Sequence, residues 1–239
     1  MLGLGNNIMT SSVTSEFLPT DIANLQMWLQ NDVGVAVGQW DDSSGNSNHV
    51  TQESSGNQAA VSNGGLAFTA ENEDQYVFTS DIEIAERGSV NIFAVIELGG
   101  TVSNRTLVGT GANADFMEFL DEDTIRFHFD NSGGAEKIDF GSAIFAADNK
   151  FLIHHERIQG ATGTLNTQID GSTVSPSGFA AGDGADAGAF VLDRIGARND
   201  DRFMEGTIFE LLIYKNDAAD MADADIVLVN DYLKTKHGL

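Results

Sequence analysis

The chain has 239 residues, of which 36 are acidic and 12 basic, so its formal net charge at pH 7 is −24. Such a surface repels the phosphate backbones that Lys and Arg bind, and it repels anionic lipid headgroups, so nucleic acid and membrane are poor candidate partners. The absence of cysteine excludes disulfides, thiol nucleophiles and cysteine-ligated zinc sites. No apolar run approaches about 20 residues, and the start MLGLGNNIMTSS lacks the features of a secretory signal. We therefore expect no membrane insertion and no export by that route.

The first 17 residues differ in composition from the rest. Leu2, Leu4 and Ile8 are isolated among Gly and Asn and cannot form a core. One interpretation is a frayed terminus. The other is an extended N-terminal arm, residues 1–17, that docks these three aliphatic side chains on a neighbouring subunit. Residues 18–239 contain no linker or internal repeat and are predicted to form one domain.

The middle of the chain predicts short strands separated by Gly, Asn and Asp clusters. Residues 89–98 are apolar on both faces, as in a central strand that is covered on each side. Residues 124–130 alternate between apolar and polar side chains, which indicates a half-buried antiparallel strand, and residues 151–158 alternate less regularly. Further strands are expected at 75–80, 105–109, 116–120, 190–196 and 206–214. This pattern predicts an all-β sandwich of two antiparallel sheets.

Two local signals complete the predicted fold. The Asp-Gly pair at 170–171 accepts the two positive φ values of a type I′ turn, so residues 164–174 predict a hairpin. Residues 220–237 predict a C-terminal helix, with Asp220 as the N-cap and Gly238 as the stop. Its apolar stripe consists of Ala222, Ile226, Val229 and Leu233.

Three stretches carry a recognisable pattern. Residues 18–52 contain a Pro, a Trp-Leu pair and the pattern W-x-D-x-S-G-x-x-N-x-x-x-Q. Residues 64–78 begin with a Gly pair and lead to a Tyr. Residues 206–239 contain the pattern G-x-I-x-E-x-x-x-Y, followed by a helix that ends in Y-L-x-x-K-x-G. The matching positions are Pro19, Trp28, Leu29, Trp40, Asp42, Ser44, Gly45, Asn48, Gln52, Gly206, Ile208, Glu210, Tyr214, Tyr232, Leu233, Lys236 and Gly238. With these motifs, residues 18–239 resemble the concanavalin A-like lectin/glucanase superfamily in its laminin-G-like form, known from bacterial and phage proteins.

The resemblance implies a jelly roll of two antiparallel sheets. In the sugar-binding and glucan-cleaving members one sheet is often concave and carries the ligand site. The start MLGLG with a short linker also resembles small structural proteins of tailed phages, notably marine ones. In the family pattern Trp28 and Trp40 belong to the opening strands, so we expect both to be structural and to pack into the sandwich.

The glucan-cleaving members carry E-x-D-x-E on one strand, where alternation places the three carboxylates on one face. The nearest candidates here are Glu118, Asp121 and Asp123. Glu118 is an odd number of residues from the two aspartates, which directs it to the other face. Glu83 and Glu86 fail in the same way. We therefore expect no enzymatic activity from this motif, and an arrangement of carboxylates from separate strands stays open.

Two groups of residues have side chains that can ligate a metal ion. Adjacent strand residues face opposite ways, so among His154, His155 and Glu156 only the first and third can share an ion, and the outward polar face of a strand is the favoured interpretation. Calcium fits better, because some lectin and laminin-G-like members bind it through loop carboxylates. Asx turns and caps are the alternative role for each loop. The candidate ligands are Asp41, Asp42, Asp183, Asp186, Asp200 and Asp201.

Three functions follow from these observations. The first is a non-enzymatic structural protein of a tailed-phage virion, either a capsid decoration or a tail or fibre component. It is assembled in the host cytoplasm and anchored through its N-terminal arm to other virion proteins or to copies of itself. The second is a carbohydrate-binding module that recognises a host-surface glycan, with calcium as its one candidate cofactor. The third is a polysaccharide hydrolase, whose expected motif the chain lacks.

Overall fold

The computed structural model describes residues 17–112, 115–128, 136–160, 165–174, 178–180 and 188–239. Within these ranges the chain forms eighteen strands, one α-helix and three short 3₁₀ helices at Pro19–Asp21, Ser55–Asn57 and Ala70–Asn72. The helix, α1, spans Asp223–His237. The strands are β1 (Leu25–Leu29), β2 (Val35–Ala36), β3 (Gln39–Trp40), β4 (Val50–Thr51), β5 (Ala60–Ser62), β6 (Gly65–Phe68), β7 (Tyr76–Ile84), β8 (Ser89–Leu98), β9 (Arg105–Gly109), β10 (Phe116–Phe119), β11 (Thr124–His128), β12 (Glu136–Asp139), β13 (Lys150–Arg157), β14 (Leu165–Ile169), β15 (Ser172–Thr173), β16 (Gly178–Ala180), β17 (Phe190–Ile195) and β18 (Gly206–Asn216).

The strands form two antiparallel sheets, which confirms the predicted all-β sandwich with one C-terminal helix. Sheet I has the order β15-β14-β13-β8-β18-β6-β5, and β1 also pairs with β18. Sheet II has the order β16-β12-β11-β10-β9-β17-β7-β4-β3-β2. Among the described residues, no helix is long and apolar enough to cross a membrane.

Two apolar layers stabilise the fold, one between the sheets and one between sheet I and α1. Strand β8 has the predicted bounds, and its two faces supply both layers. Ile92 and Ala94 pack between the sheets, whereas Phe93 and Val95 pack under α1. Burial on both faces explains why the segment is apolar at successive positions.

Most of the longer strands match their predicted positions to within a few residues. The strand predicted at 75–80 continues to Ile84, and residues 129–130 of the strand predicted at 124–130 lie outside the described residues. Strands β1 and β3 contain Trp28 and Trp40, which the family pattern places in opening strands. Strands β2, β4 to β6, β12 and β16 were not predicted. These have only two to four residues, so they are too short to show a period of two in the sequence.

Helix α1 differs from its prediction at the N-terminus. It begins at Asp223, and the N-cap is Ala222, which forms no side-chain cap. The predicted cap, Asp220, accepts a hydrogen bond from the backbone N–H of Gln159 instead. The predicted stripe is correct for its other three members, Ile226, Val229 and Leu233, which are buried against sheet I, but Ala222 is exposed.

The polar run of β13 is buried, so the predicted outward polar face is wrong. β13 lies inside sheet I between β8 and β14, with α1 on one side and sheet II on the other. His154 donates from Nε2 to Asn91 Oδ1 at 2.9 Å and stacks on Phe93, while His155 Nδ1 is hydrogen-bonded to Thr167 Oγ1 at 2.9 Å. Burial lowers the pKa of each imidazole to about 3, so both rings are neutral at pH 7.

The hairpin of β14 and β15 turns at the predicted Asp-Gly pair. Asp170 has φ +51° and Gly171 has φ +76°. The Asp170 carboxylate also accepts a hydrogen bond from the Leu152 N–H at 2.9 Å, which holds the turn against β13. The two positive φ values confirm the prediction of this hairpin.

Gly171→Ala is expected to lower the free energy of unfolding by about 1–2 kcal/mol, because a Cβ at positive φ is strained. The nearest atom to that Cβ would be Lys234 Cδ at 3.5 Å, so steric contact contributes little. Denaturant unfolding measures the effect. Gly56→Ala is the matched control, since Gly56 has no positive φ and open space around it. Equal stability of the two variants would contradict this account of the turn.

Candidate functional site

The outer faces of the two sheets differ in character. The outer face of sheet I is covered by α1. Strands β10 and β11 of sheet II direct Met117, Phe119, Ile125 and Phe127 into the core. Because side chains alternate along a strand, the residues between these four point outward. The outward residues are Phe116, Glu118, Arg126 and His128.

A buried ionic group lies on this outer face, and we call it the arginine cluster: Phe116, Glu118, Arg126 and Arg198. Glu118 is fully buried and pairs with Arg126 and with Arg198, whose Nε lies 2.9 Å from Glu118 Oε2. The Arg198 guanidinium lies 3.7 Å from the centroid of the Phe116 ring, within cation–π distance. Burial lowers the pKa of Arg198, and the Glu118 carboxylate opposes this shift. The cluster holds two positive charges against one negative charge.

The loop that supplies Arg198 crosses the outer face of β9. Its backbone joins the strand through Asn199 N–H to Thr110 O at 2.9 Å and Thr106 N–H to Arg202 O at 3.1 Å. This approach requires glycine at position 109, because a Cβ there would lie 2.8 Å from the carbonyl oxygen of Ala197.

The loop also contains three non-glycine residues at positive φ, namely Asn199, Asp200 and Arg202. Such strained conformations cluster at binding and catalytic sites, where the surrounding structure enforces them. Asp200 accepts hydrogen bonds from Gln75 and from Arg194, whose Nη1 lies 3.0 Å from its carboxylate. Five of the seven arginines of the chain lie on this loop or beside it: Arg105, Arg126, Arg194, Arg198 and Arg202.

The candidate catalytic carboxylate Glu118 does not join Asp121 and Asp123 at one site. Glu118 is enclosed in the arginine cluster, whereas Asp121 and Asp123 lie in the turn between β10 and β11. There the Asp123 N–H donates to Asp121 Oδ1 at 3.2 Å, and the side-chain hydrogen bond to Asp121 raises the pKa of Asp123. Glu118 has both oxygens engaged by guanidinium groups, so it has no free oxygen for a substrate.

A second fully buried carboxylate, Glu210, has a structural position between sheet I and the end of α1. It accepts hydrogen bonds from Trp28 Nε1 at 2.7 Å, from Lys236 Nζ at 3.0 Å and from His237 Nε2 at 2.7 Å. These hydrogen bonds connect the last turn of α1 to β18 and β1. Trp40 is structural as expected, in the core between the sheets, but Trp28 lies in the layer under α1.

The calcium candidates that are described have protein partners. Asp42 accepts hydrogen bonds from the backbone N–H groups of Trp28, Ser44 and Asn48, so it organises the turn rather than presenting free oxygens. Asp41 accepts a hydrogen bond from Gln39, and Asp201 accepts one from the backbone of Arg202. Asp183 and Asp186 lie outside the described residues.

Two further predictions concern the metal site in β13 and the N-terminal arm. Among the described residues, no group of three His, Asp or Glu side chains is placed to hold a metal ion. This includes His154 and Glu156, which are bound to Asn91 and Asn166. Leu2, Leu4 and Ile8 of the predicted arm lie outside the described residues, whereas Phe17 packs edge-on against Tyr232 of α1, with the ring centroids 6.1 Å apart.

Sequence reasoning missed the arginine cluster. One signal for it was present, because a hairpin of the predicted strands at 116–120 and 124–130 places Glu118 opposite Arg126. Arg198 comes from a loop 80 residues further along the chain, so the sequence pattern gave no indication that it joins the pair.

No protein-family model and no curated protein sequence matches this chain. Solved structures match its fold. The binding domain of Paraclostridial Mosquitocidal Protein 1 is 13% identical with a TM-score of 0.55, and the match covers 90% of this chain and 53% of that chain. Domain 4 of AbnA, a GH43 extracellular arabinanase from Geobacillus stearothermophilus solved with arabinotriose, is 14% identical with a TM-score of 0.53, covering 85% of this chain and 97% of that domain.

Two other matches have similar scores. Trypanosoma rangeli sialidase in complex with sialic acid is 12% identical with a TM-score of 0.55, over 90% of this chain and 33% of the sialidase. The botulinum neurotoxin serotype D binding domain is 13% identical with a TM-score of 0.53, over 88% of this chain and 51% of that domain. This chain therefore spans about half the length of the two toxin binding domains. At these identities the likeness shows a shared β-sandwich fold.

Proposed function

We propose that the protein is a non-enzymatic, lectin-like binding domain of the virion surface of a tailed phage. It serves as a capsid decoration or as a tail or fibre component, anchored through residues 1–17. The observation that carries the non-enzymatic part is the state of Glu118 and Glu210, two of the buried carboxylates among the described residues. Glu118 and Glu210 are each neutralised by basic side chains of the fold itself. They stabilise the sandwich, and neither faces a second carboxylate as glycoside hydrolysis requires.

Three features of the sequence support the virion role. The net charge of −24 keeps particles that display many copies from associating with one another. A chain without cysteine folds in the reducing cytoplasm, where virions assemble, with no risk of unwanted disulfides. Residues 1–17 carry isolated aliphatic side chains ahead of the first described contact of the sandwich.

The test of the assembly role is size-exclusion chromatography with light scattering. We expect the full-length protein to form a defined oligomer or to co-sediment with phage particles, and we expect the form lacking residues 1–17 to be monomeric. Circular dichroism of the truncated form is the control for folding. A full-length protein that is monomeric and does not bind particles would contradict the proposal.

Carbohydrate recognition is the second candidate function. It is favoured by the likeness to the arabinanase domain, which matches over nearly its whole length and was solved with an arabino-oligosaccharide. The outer face of sheet II, beside the loop of Arg198 to Arg202, is the candidate surface. It presents the exposed carboxylates of Asp200 and Asp201 and the partly exposed guanidinium of Arg202 above the buried arginine cluster.

A glycan array with and without calcium tests this second function. We expect specific binding by the wild-type protein and a loss of at least about tenfold in affinity for the double variant Asp200→Asn/Asp201→Asn, since a polar hydrogen bond to a charged group contributes about 1.5–3 kcal/mol. Glu53→Gln, a change in an exposed carboxylate of another loop, is the control. The absence of binding with and without calcium would rule out glycan recognition.

A further inference from the structure

An apolar groove lies on the outer side of α1, beside the point where the described chain begins. Phe17, Leu18, Leu228 and Tyr232 form its floor and walls, and Asp231, Thr235 and Lys236 complete the rim. Its volume is about 490 Å³. We call it the α1 groove.

The groove is rich in exposed apolar side chains. Leu18 is 44% exposed, Leu228 is 43% exposed, and the adjacent Val227 is 55% exposed. The other large exposed apolar residues of the described chain, Val33, Val37, Val61 and Val77, belong to different strands and turns of the sandwich. Leu18 and Leu228 line the same groove, and clustered exposed apolar side chains suit a binding surface.

We propose that the α1 groove binds the N-terminal segment, residues 1–16, of a second copy of this chain. The inference rests on the proposed assembly role of residues 1–17, and it adds the surface that receives them. Leu2, Leu4 and Ile8 supply the aliphatic side chains that cover Leu228 and Tyr232. The partner surface is therefore the same on every copy, which leads to a closed symmetric oligomer or a continuous array.

Charge identifies the N-terminal segment as the occupant. Two copies with a net charge of −24 repel each other over most of their surfaces. Residues 1–15 contain no ionisable side chain, and the longer uncharged stretch at 54–70 is already part of sheet I through β5 and β6. The segment can therefore approach a second copy without adding to the repulsion.

The number of residues that precede Phe17 favours binding to the α1 groove of a second copy over binding to the α1 groove of the same chain. Phe17 already lies at the groove, and Leu2, Leu4 and Ile8 precede it by 9 to 15 positions. An extended chain of that length spans about 30–50 Å, comparable to the diameter of a folded domain of this size. The intervening residues 10–16, TSSVTSE, are mostly polar and suit a spacer between two bodies. The three aliphatic residues thus reach the groove of an adjacent copy.

Three variants test the groove by light scattering across a concentration series. We expect removal of residues 1–16 to give monomers, and Leu228→Glu to raise the dissociation constant of the oligomer by at least about thirtyfold, because it removes apolar burial and adds a charge. Val37→Glu makes the same kind of change at an exposed site far from α1 and is expected to alter the constant by less than about twofold. If the oligomer requires residues 1–16 but its dissociation constant is unchanged by Leu228→Glu, then the α1 groove is not the surface that binds the segment, although the assembly role of the segment stands. A monomeric full-length chain would overturn the groove proposal, and one that also fails to bind phage particles would overturn both.

Cross-linking distinguishes a second copy from the chain's own groove. The chain has no cysteine, so Leu4→Cys and Leu228→Cys each introduce one defined thiol. When the two single variants are mixed with a short bis-maleimide, we expect a product of twice the chain mass. The double variant Leu4→Cys/Leu228→Cys is expected to give the same intermolecular product. If only the double variant is cross-linked, and its product has the mass of one chain, then the segment binds the groove of its own chain and the proposal is overturned.

Discussion

Glu210→Ala is expected to lower the free energy of unfolding by about 3–5 kcal/mol, the usual effect of removing one partner from a buried ionic group. The substitution leaves the indole N–H of Trp28, the Lys236 ammonium and the His237 ring without their acceptor in a buried layer. Because Lys236 and His237 end α1, the last turn of the helix is expected to detach from sheet I.

Two measurements check this result. Denaturant unfolding gives the change in stability, and the fluorescence of Trp28 reports the layer under α1, so its emission is expected to shift to the red. Glu210→Gln keeps an acceptor for the indole but loses the charge, and we expect an intermediate effect. Glu53→Ala removes an exposed carboxylate and is the control, with a change within about 0.5 kcal/mol. A stability of Glu210→Ala within about 1 kcal/mol of wild type would contradict the structural role of Glu210.

Acidification from pH 7 to pH 5 is expected to remove about 4 kcal/mol of stability through His154 and His155. Burial lowers the pKa of each imidazole from 6.5 to about 3, so between these values the unfolded chain binds protons that the folded chain does not. Their contribution is therefore complete above about pH 6.5 and is lost as the pH falls. Each histidine contributes a slope of about 1.4 kcal/mol per pH unit in that window.

The slope is measured by unfolding at several pH values between 7 and 5, and variants separate it from other acid effects. Two other effects of acid increase the stability of the wild-type protein and so oppose the loss caused by the histidines. Burial raises the pKa of Glu156, so the folded chain binds its proton more readily than the unfolded chain does. Protonation of carboxylates also reduces the net charge of −24 and with it the repulsion within the folded chain. We expect His155→Gln to reduce the slope by about 1.4 kcal/mol per pH unit, which is the contribution of one titrating histidine. Thr167→Val removes the hydrogen-bond partner of His155 but keeps the titrating ring, so the slope is expected to persist. Identical slopes for wild type and His155→Gln would show that His155 is not a buried neutral ring.

The sequence predicted the elements whose signals are local. The segment 89–98 is apolar at almost every position because each of its faces meets a different layer, and the Asp-Gly pair at 170–171 fixes a turn by backbone conformation alone. The stripe of α1 repeats every three to four residues, so it was visible without knowledge of its partner. Each signal depends on neighbours within a few residues.

The sequence could not predict interactions between distant segments. His154 and Glu156 were assigned to a solvent-facing side because polar strand residues usually face water. Their partners, Asn91 and Asn166, come from β8 and β14 and satisfy the two side chains in a buried position. The arginine cluster was missed for the same reason, since Arg198 reaches Glu118 from a loop far along the chain. The candidate surface on sheet II depends on that long-range contact.

The position of β18 has a consequence for synthesis on the ribosome. This strand lies in the interior of sheet I, where it pairs with β8, β6 and β1, which all come from the first 98 residues. It is translated about 110 residues after β8, a delay of roughly 5–20 s at typical elongation rates. Until β13 is made the apolar β8 lacks both of its neighbours, and it lacks β18 for the whole interval, so the nascent chain presents an open strand edge to chaperones and to neighbouring chains.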